Sequence, residues 1–151
     1  MKFLCLWGTI TCILIAFSAN CQTAPLNQHP AEKEPLFNHL PEKISCTAVS
    51  LQNIFAAAVT NNISVLLGTQ LKIDGTVIAK VAVTPDQLSI NIRCSNYQNA
   101  LLNLSRITQT DGSFSYIGRI VSPRHGDVLL LWEDKGQYAF IREKQLLTMV
   151  E

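Results

Sequence analysis

The pair of residues that comes nearest to a catalytic group is His125 and Asp127, which flank Gly126. An imidazole oriented by a carboxylate is two thirds of a hydrolytic triad, which a serine or cysteine nucleophile would complete. No G-x-S-x-G motif is present to place such a serine. Polar neighbours in a loop of this kind also cap turns, which is the alternative interpretation. A small secreted hydrolase that uses His125 is therefore one hypothesis among those set out below.

Signals for metal and phosphate binding are absent from the sequence. His29 and His39 are the other histidines, and no i, i+4 histidine pair or paired Cys/His spacing typical of zinc sites occurs. No glycine-rich phosphate-binding loop is present, and the carboxylates that could pair as in a glycosidase fall in predicted turns. We therefore predict no catalytic residue, no metal site and no cofactor.

Two cysteines, Cys46 and Cys94, lie well inside the chain. In an oxidising compartment outside the cytoplasm, two such thiols can form a disulfide. The bond would stabilise the fold by about 4 kcal/mol in the chain-entropy model. The alternative is two buried free thiols that pack as small apolar residues. The sequence leaves both alternatives open.

The first 21 residues have the pattern of a secretory signal peptide. Lys2 precedes an uncharged apolar run from Phe3 to Phe17, which is shorter than the about 20 residues that span a bilayer as a helix. Small residues in Ala19-Asn20-Cys21 predict cleavage before Gln22. Cys21 is also a candidate for lipidation. The sequence thus predicts a secreted, periplasmic or extracellular protein, with a lipid anchor at the cell envelope as the alternative.

The remainder divides into a spacer and one domain. Residues 22–45 contain four prolines and no apolar periodicity, which predicts a proline-rich spacer. Residues 46–151 are predicted to form one antiparallel β domain. The chain has 12 Lys and Arg against 11 Asp and Glu, with no basic cluster, which disfavours nucleic-acid binding. A membrane partner is expected only if Cys21 is lipidated.

One short helix is predicted at the start of the domain. Its apolar stripe follows helical spacing and consists of Leu51, Ile54, Phe55, Ala58 and Val59. Ser50 is the predicted N-cap, and Asn61-Asn62 the predicted stop.

The rest of the domain is predicted to be strands. Residues 71–83, LKIDGTVIAKVAV, alternate with period two, so they predict one long strand with Val77, Val81 and Val83 on the same face. Asp74-Gly75 is either a bulge in that strand or a hairpin turn. Turn signals recur at the spacing typical of an antiparallel meander. The predicted fold is mainly β: one short helix followed by a six- or seven-stranded antiparallel meander, open or curled into a partial barrel.

Four aromatic residues in the last third lie at alternate positions of two predicted strands: Phe114, Tyr116, Tyr138 and Phe140. They predict one aromatic face. An exposed face of this kind would bind a protein, peptide or glycan partner. The alternative is a buried core with cross-strand pairs.

Residues 112–144, GSFSYIGRIVSPRHGDVLLLWEDKGQYAFIREK, resemble hairpin segments of small exported bacterial β-domains. Some of those domains lie near secreted peptidases as propeptide-like or accessory modules. The resemblance implies an envelope or extracellular location and a lack of catalysis, and it assigns no functional residue.

Three hypotheses for function follow from these patterns. The first is an exported, non-enzymatic binding or accessory domain that acts on a protein, peptide or surface partner. The second is a curled sheet that encloses a small apolar ligand between inward residues such as Val77 and Val81. The third is the small hydrolase that uses His125.

Overall fold

The computed structural model describes residues 34–144, which form one antiparallel sheet with a short helix packed on it. The elements are β1 (Lys43–Cys46), α1 (Ala48–Ile54), β2 (Asn62–Leu67), β3 (Leu71–Thr84), β4 (Gln87–Cys94), a 3₁₀ turn (Ser95–Tyr97), β5 (Ala100–Thr108), β6 (Phe114–Val121), β7 (Asp127–Asp134) and β8 (Gln137–Lys144). The strand order is β1-β8-β7-β6-β5-β4-β3-β2. The predicted mainly β class and the antiparallel meander from β2 to β8 are confirmed. The sheet has eight strands because β1, which the sequence pattern does not indicate, joins β8.

The segment before the helix belongs to the folded domain. Ile44 of β1 pairs with Phe140 of β8, and Phe37 is completely buried. The Phe37 backbone N–H donates to Asp127 Oδ2 at 2.7 Å, and Arg142 Nη1 donates to the Phe37 carbonyl at 3.2 Å. The folded domain therefore begins before the predicted boundary at residue 46, inside the predicted spacer. The predicted signal peptide 1–21, with Cys21, lies outside the described residues.

Helix α1 starts earlier and ends earlier than the sequence predicts. Thr47 is the N-cap: its Oγ1 accepts from the Ser50 backbone N–H at 3.1 Å, and the Ser50 hydroxyl donates back to the Thr47 carbonyl at 2.8 Å. The predicted N-cap Ser50 is therefore wrong by three residues. The helix ends at Ile54, so Ala58 and Val59 lie beyond it and are exposed. Among residues 34–144, no helix is long and apolar enough to cross a membrane.

A lysine from the sheet stabilises the chain just after the helix. Lys80 Nζ donates to the carbonyl of Phe55 at 2.6 Å and to that of Ala57 at 3.2 Å. Carbonyl groups at a helix C-terminus lack intrahelical partners and attract a cation. Lys80 therefore fixes the chain where it leaves α1 and turns towards β2.

The long strand β3 contains a bulge that reverses its two faces. Val77 pairs with Ile92 and Ala79 with Asn91, so Ile78 is an extra residue without a partner on β4. Downstream of it, Lys80 pairs with the buried Ile90 and points to the core side. The single uninterrupted alternation predicted for residues 71–83 is therefore wrong after Val77. The bulge is at Ile78 and not at Gly75, which stays in register.

One face of the sheet, here called the inner face, packs against α1 and the segment before β1. Its buried side chains form one hydrophobic core together with the helix. The largest fully buried members are Phe37, Phe140, Leu51, Ile54, Leu67, Leu71, Ile73, Ile90, Ile92, Leu102, Leu104 and Ile120. The opposite face, here called the outer face, carries no described element of the chain.

A glycine contact shows that the sheet is curled. Strands spaced about 4.8 Å apart would separate the two edges of a flat eight-stranded sheet by about 34 Å. Yet Gly68, in the turn after β2, lies so close to β1 at the other edge that a Cβ on it would be 1.9 Å from the Ser45 carbonyl oxygen. The sheet therefore curls as a half-barrel, and Gly68 permits the contact. Its φ of +68° also favours glycine.

Replacing Gly68 should weaken this contact specifically. We expect Gly68→Ala to lower the free energy of unfolding by about 3–4 kcal/mol, because the new Cβ overlaps backbone atoms as well as straining φ. The matched control is Gly112→Ala, since Gly112 has a φ of +81° and no atom within 4 Å of the position that a Cβ would occupy. The control should lose only about 1–2 kcal/mol. Equal losses in urea denaturation would contradict the role of the contact.

Candidate functional site

The predicted aromatic face is mostly part of the core. Tyr116, Tyr138 and Phe140 are buried on the inner face. The rings of Tyr116 and Tyr138 meet edge to face at 5.5 Å, and the Tyr116 hydroxyl donates to Gln52 Oε1 at 2.7 Å. Burial raises the pKa of both tyrosines. The prediction of an exposed binding face is wrong for these three residues, because the face that they share is the one that α1 covers.

Phe114 is the exception among the four aromatic residues. It is 42% exposed at the end of β6, and the Arg106 guanidinium lies over its ring at 4.5 Å. Arg106 also contacts the Phe55 ring at 5.4 Å. Phe114 therefore covers the edge of the core and does not form a free aromatic patch.

His125 and Asp127 do not form a catalytic pair. His125 Nδ1 lies 2.7 Å from the hydroxyl of the buried Ser122, and its backbone N–H bonds to the Ser122 carbonyl at 3.3 Å. Asp127 instead accepts the Phe37 N–H, and its Oδ1 has no partner within the described residues. A triad requires the carboxylate on one imidazole nitrogen and an accessible nucleophile on the other. The contacts cap a turn and anchor the segment before β1.

The same end of the molecule has an open cleft of about 630 Å³, lined in part by His39 and His125. The His39 ring stacks on Tyr97, with centroids 6.3 Å apart. Within residues 34–144, no three His, Cys, Asp or Glu side chains come together as a possible metal site. The cleft therefore brings two histidines to one surface without assembling a ligand set around them.

Cys46 and Cys94 are free thiols in this structure, and both are buried. They correspond to the second of the two alternatives left open by the sequence. Cys46 lies opposite Tyr138, and Cys94 lies between Gly75 and Ala100. Burial raises the pKa of each thiol to about 11. Neither is a nucleophile near neutral pH, because the thiolate is the reactive form.

Thiol labelling should therefore depend on unfolding. A thiol with a pKa of about 11 is only about 0.1% ionised at about pH 8. We expect iodoacetamide to leave Cys46 and Cys94 unmodified in the folded protein at that pH, and to label both in guanidinium chloride without reductant. Labelling of the folded protein should increase as the pH approaches 11. Peptide mass mapping measures both sites, and failure to label the denatured chain without reductant would instead reveal a disulfide.

The outer face exposes apolar side chains where a solvated sheet face usually carries polar ones. Among residues 34–144, ten large apolar residues are exposed, and seven of them lie on this face. These seven are Leu66, Ile78, Val81, Val83, Leu101, Ile117 and Trp132. Trp132 is 60% exposed and Ile117 53%. The bulge at Ile78 contributes to this surface because it turns Val81 outward, and a second register shift leaves Val83 without a partner on β4.

A row of polar residues crosses the centre of the outer face. Asn91 of β4 pairs with Asn103 of β5, which pairs with Arg119 of β6. Each lies between inward-facing neighbours, so strand alternation fixes its outward direction. The Asn103 Nδ2 donates to Asn91 Oδ1. The row is the polar part of an open recess of about 450 Å³, here called the central recess, whose apolar walls are Ile78, Leu101, Val121, Pro123 and Val128.

Sequence reasoning missed this surface altogether. Asn91, Asn103 and Arg119 lie at ordinary outward positions of alternating strands, where polar residues are expected. The signal that was available is two large apolar residues, Ile117 and Trp132. Ile117 directly follows the buried Tyr116, and Trp132 lies three residues after the buried Leu129, so both fall on the face opposite the core. Comparison with known proteins adds no further candidates: no family model, no curated protein and no solved structure matches the chain.

Proposed function

We propose that the chain is an exported, non-enzymatic binding domain that engages a protein partner through its outer face. The observation that carries the proposal is the apolar surface around Trp132 and Ile117, which no described part of the chain covers. Exposed apolar surface of this kind is typical of protein-interaction sites. Export is supported by the N-terminal sequence alone, through its apolar run and the small residues before Gln22.

The chemistry of the outer face favours a protein partner over a glycan or a nucleic acid. A glycan site would need aromatic rings to stack on sugars, and Trp132 is the one large aromatic side chain exposed there among residues 34–144. The remaining exposed apolar side chains are aliphatic. A face of aliphatic residues with one Trp and two Arg is typical of protein interface centres. The near-neutral charge balance disfavours nucleic acid.

The two alternative functions find less support in the side chains that they require. A ligand pocket between Val77 and Val81 is unsupported because Val77 is fully buried, while Val81 is 56% exposed on the other face. A hydrolase would need an accessible nucleophile, and Ser122 is buried. The resemblance of residues 112–144 to exported accessory β-domains also favours binding over catalysis.

Surface variants can test the proposal directly. We expect Ile117→Ser/Trp132→Ser to weaken binding of the partner at least about 30-fold, because a central Trp in an interface commonly contributes about 2 kcal/mol or more. The partner is first crosslinked and identified from the extracellular fraction of the host, then purified for binding measurements by calorimetry.

The matched control is Val49→Ser/Val59→Ser, which removes two exposed apolar side chains away from the sheet. It should bind the partner like the unchanged protein. An equal loss in both variants, or no loss in either, would contradict the outer face as the binding surface. Circular dichroism and urea denaturation establish that each variant remains folded.

A further inference from the structure

We propose that the central recess binds an acidic side chain, Asp or Glu, presented by an apolar segment of the protein partner, with Arg119 as the ion-pairing group. This inference rests on the proposed function, since it specifies the partner of the same face. It is carried by the position of Arg119 within a recess whose walls are apolar and whose other polar groups are the amides of Asn91 and Asn103.

The polar row leaves donors available to a carboxylate. The Asn91 Oδ1 and the Asn103 Nδ2 bond to each other, and within residues 34–144 no side-chain hydrogen bond uses Asn91 Nδ2. Arg119 is exposed and lies beside Asn103 across the β5–β6 pair. A guanidinium presents paired N–H groups that match the two oxygens of a carboxylate. The row therefore combines the Arg119 cation on β6 with an unused amide donor, Asn91 Nδ2, two strands away on β4.

The charge distribution of the face complements an acidic group. Strands β4, β5 and β6 contain Arg93, Arg106 and Arg119 but no Asp or Glu. Arg93 and Arg119 lie on the outer face, whereas Arg106 lies on the inner face with Tyr116. The one ion pair within the described residues joins Lys72 and Asp74, away from the recess. An acidic side chain would thus meet uncompensated positive charge at the centre of the face.

Other occupants fit the face less well. A second copy of this chain packed face to face, with the two-fold axis through the central recess, would bring Arg119 towards its own equivalent, and like charges in an interface oppose association. An anionic membrane surface is attracted by clusters of about four to eight cations, and this face has Arg93 and Arg119 at its centre. A terminal carboxylate is typically captured by successive backbone N–H groups, whereas the recess offers side-chain donors.

The test uses the full chain and peptide pools of defined chemistry. Each pool has apolar flanking residues of mixed sequence and capped ends, with Glu, Gln or Lys fixed at the central position. A fourth pool has a central Gln and a free C-terminal carboxylate. We expect the Glu pool to bind about tenfold or more tightly than the Gln pool, with the difference decreasing at high salt.

Arg119 variants then locate the effect. Arg119→Gln should abolish the preference for Glu over Gln, and Arg119→Glu should reverse it, so that the Lys pool binds best. Arg93→Gln is the matched control, because it removes the other central cation from the outer face and should keep the Glu preference. Urea denaturation verifies that the variants fold, and the charge-reversal variant supplies a gain of binding that a misfolded protein cannot show.

The results separate this inference from the proposed function. If the Glu and Gln pools bind equally and Ile117→Ser/Trp132→Ser abolishes both, the outer face is a binding surface but the acidic specificity is wrong. If the pool with the free C-terminus alone binds tightly, the ligand is a terminal carboxylate and the inference is overturned. If no pool binds, the inference fails, while the measurement with the crosslinked partner still decides the proposed function.

Discussion

The extra residue at Ile78 determines which side chains in the second half of β3 face the core and which face solvent. Before it, the odd-numbered residues of β3 from Leu71 to Val77 point into the core. After it, the even-numbered residue Lys80 points to the core side, opposite the buried Ile90 of β4. The reversal points Lys80 inward, where its ammonium group donates to the carbonyls of Phe55 and Ala57, just after α1. It also turns Val81 towards solvent, where its side chain extends the apolar outer face. One bulge thus places both the lysine that contacts the chain after α1 and an apolar side chain on the outer face.

The sequence was sufficient to predict the class and the strands from β2 to β8, because period-two alternation is a local property. It did not reveal the bulge. In Ile78-Ala79-Lys80-Val81, each of the two possible alternations places an aliphatic residue on each face, so the apolar pattern does not distinguish them. It missed β1 because four residues between prolines and a helix are too few to show a period. The predicted aromatic face had the right members but the wrong exposure. Strand alternation predicts which residues share a face, whereas the burial of that face depends on where α1 packs.

The candidate site could not be read from the sequence because it depends on register between strands. Asn91, Asn103 and Arg119 come from three strands and become neighbours only when β4, β5 and β6 align. Each looks like an ordinary solvated position, so no spacing rule singles it out. By contrast, His125 and Asp127 are close in sequence but bond to different partners. His125 contacts the Ser122 hydroxyl, whereas Asp127 accepts the backbone N–H of Phe37. In this chain, proximity in sequence is a poor guide to which polar groups act together.

The pairing of β1 with β8 joins the two ends of the domain, from Lys43 opposite Ile141 to Cys46 opposite Tyr138. During synthesis from the N-terminus, Phe37 and Ile44 must therefore wait for the last strand before they can be buried. Contacts this distant in sequence make folding slow relative to local helix or hairpin formation. Until β8 arrives, the nascent chain presents unpaired strand edges as well as unburied apolar side chains, the conditions under which chains associate wrongly.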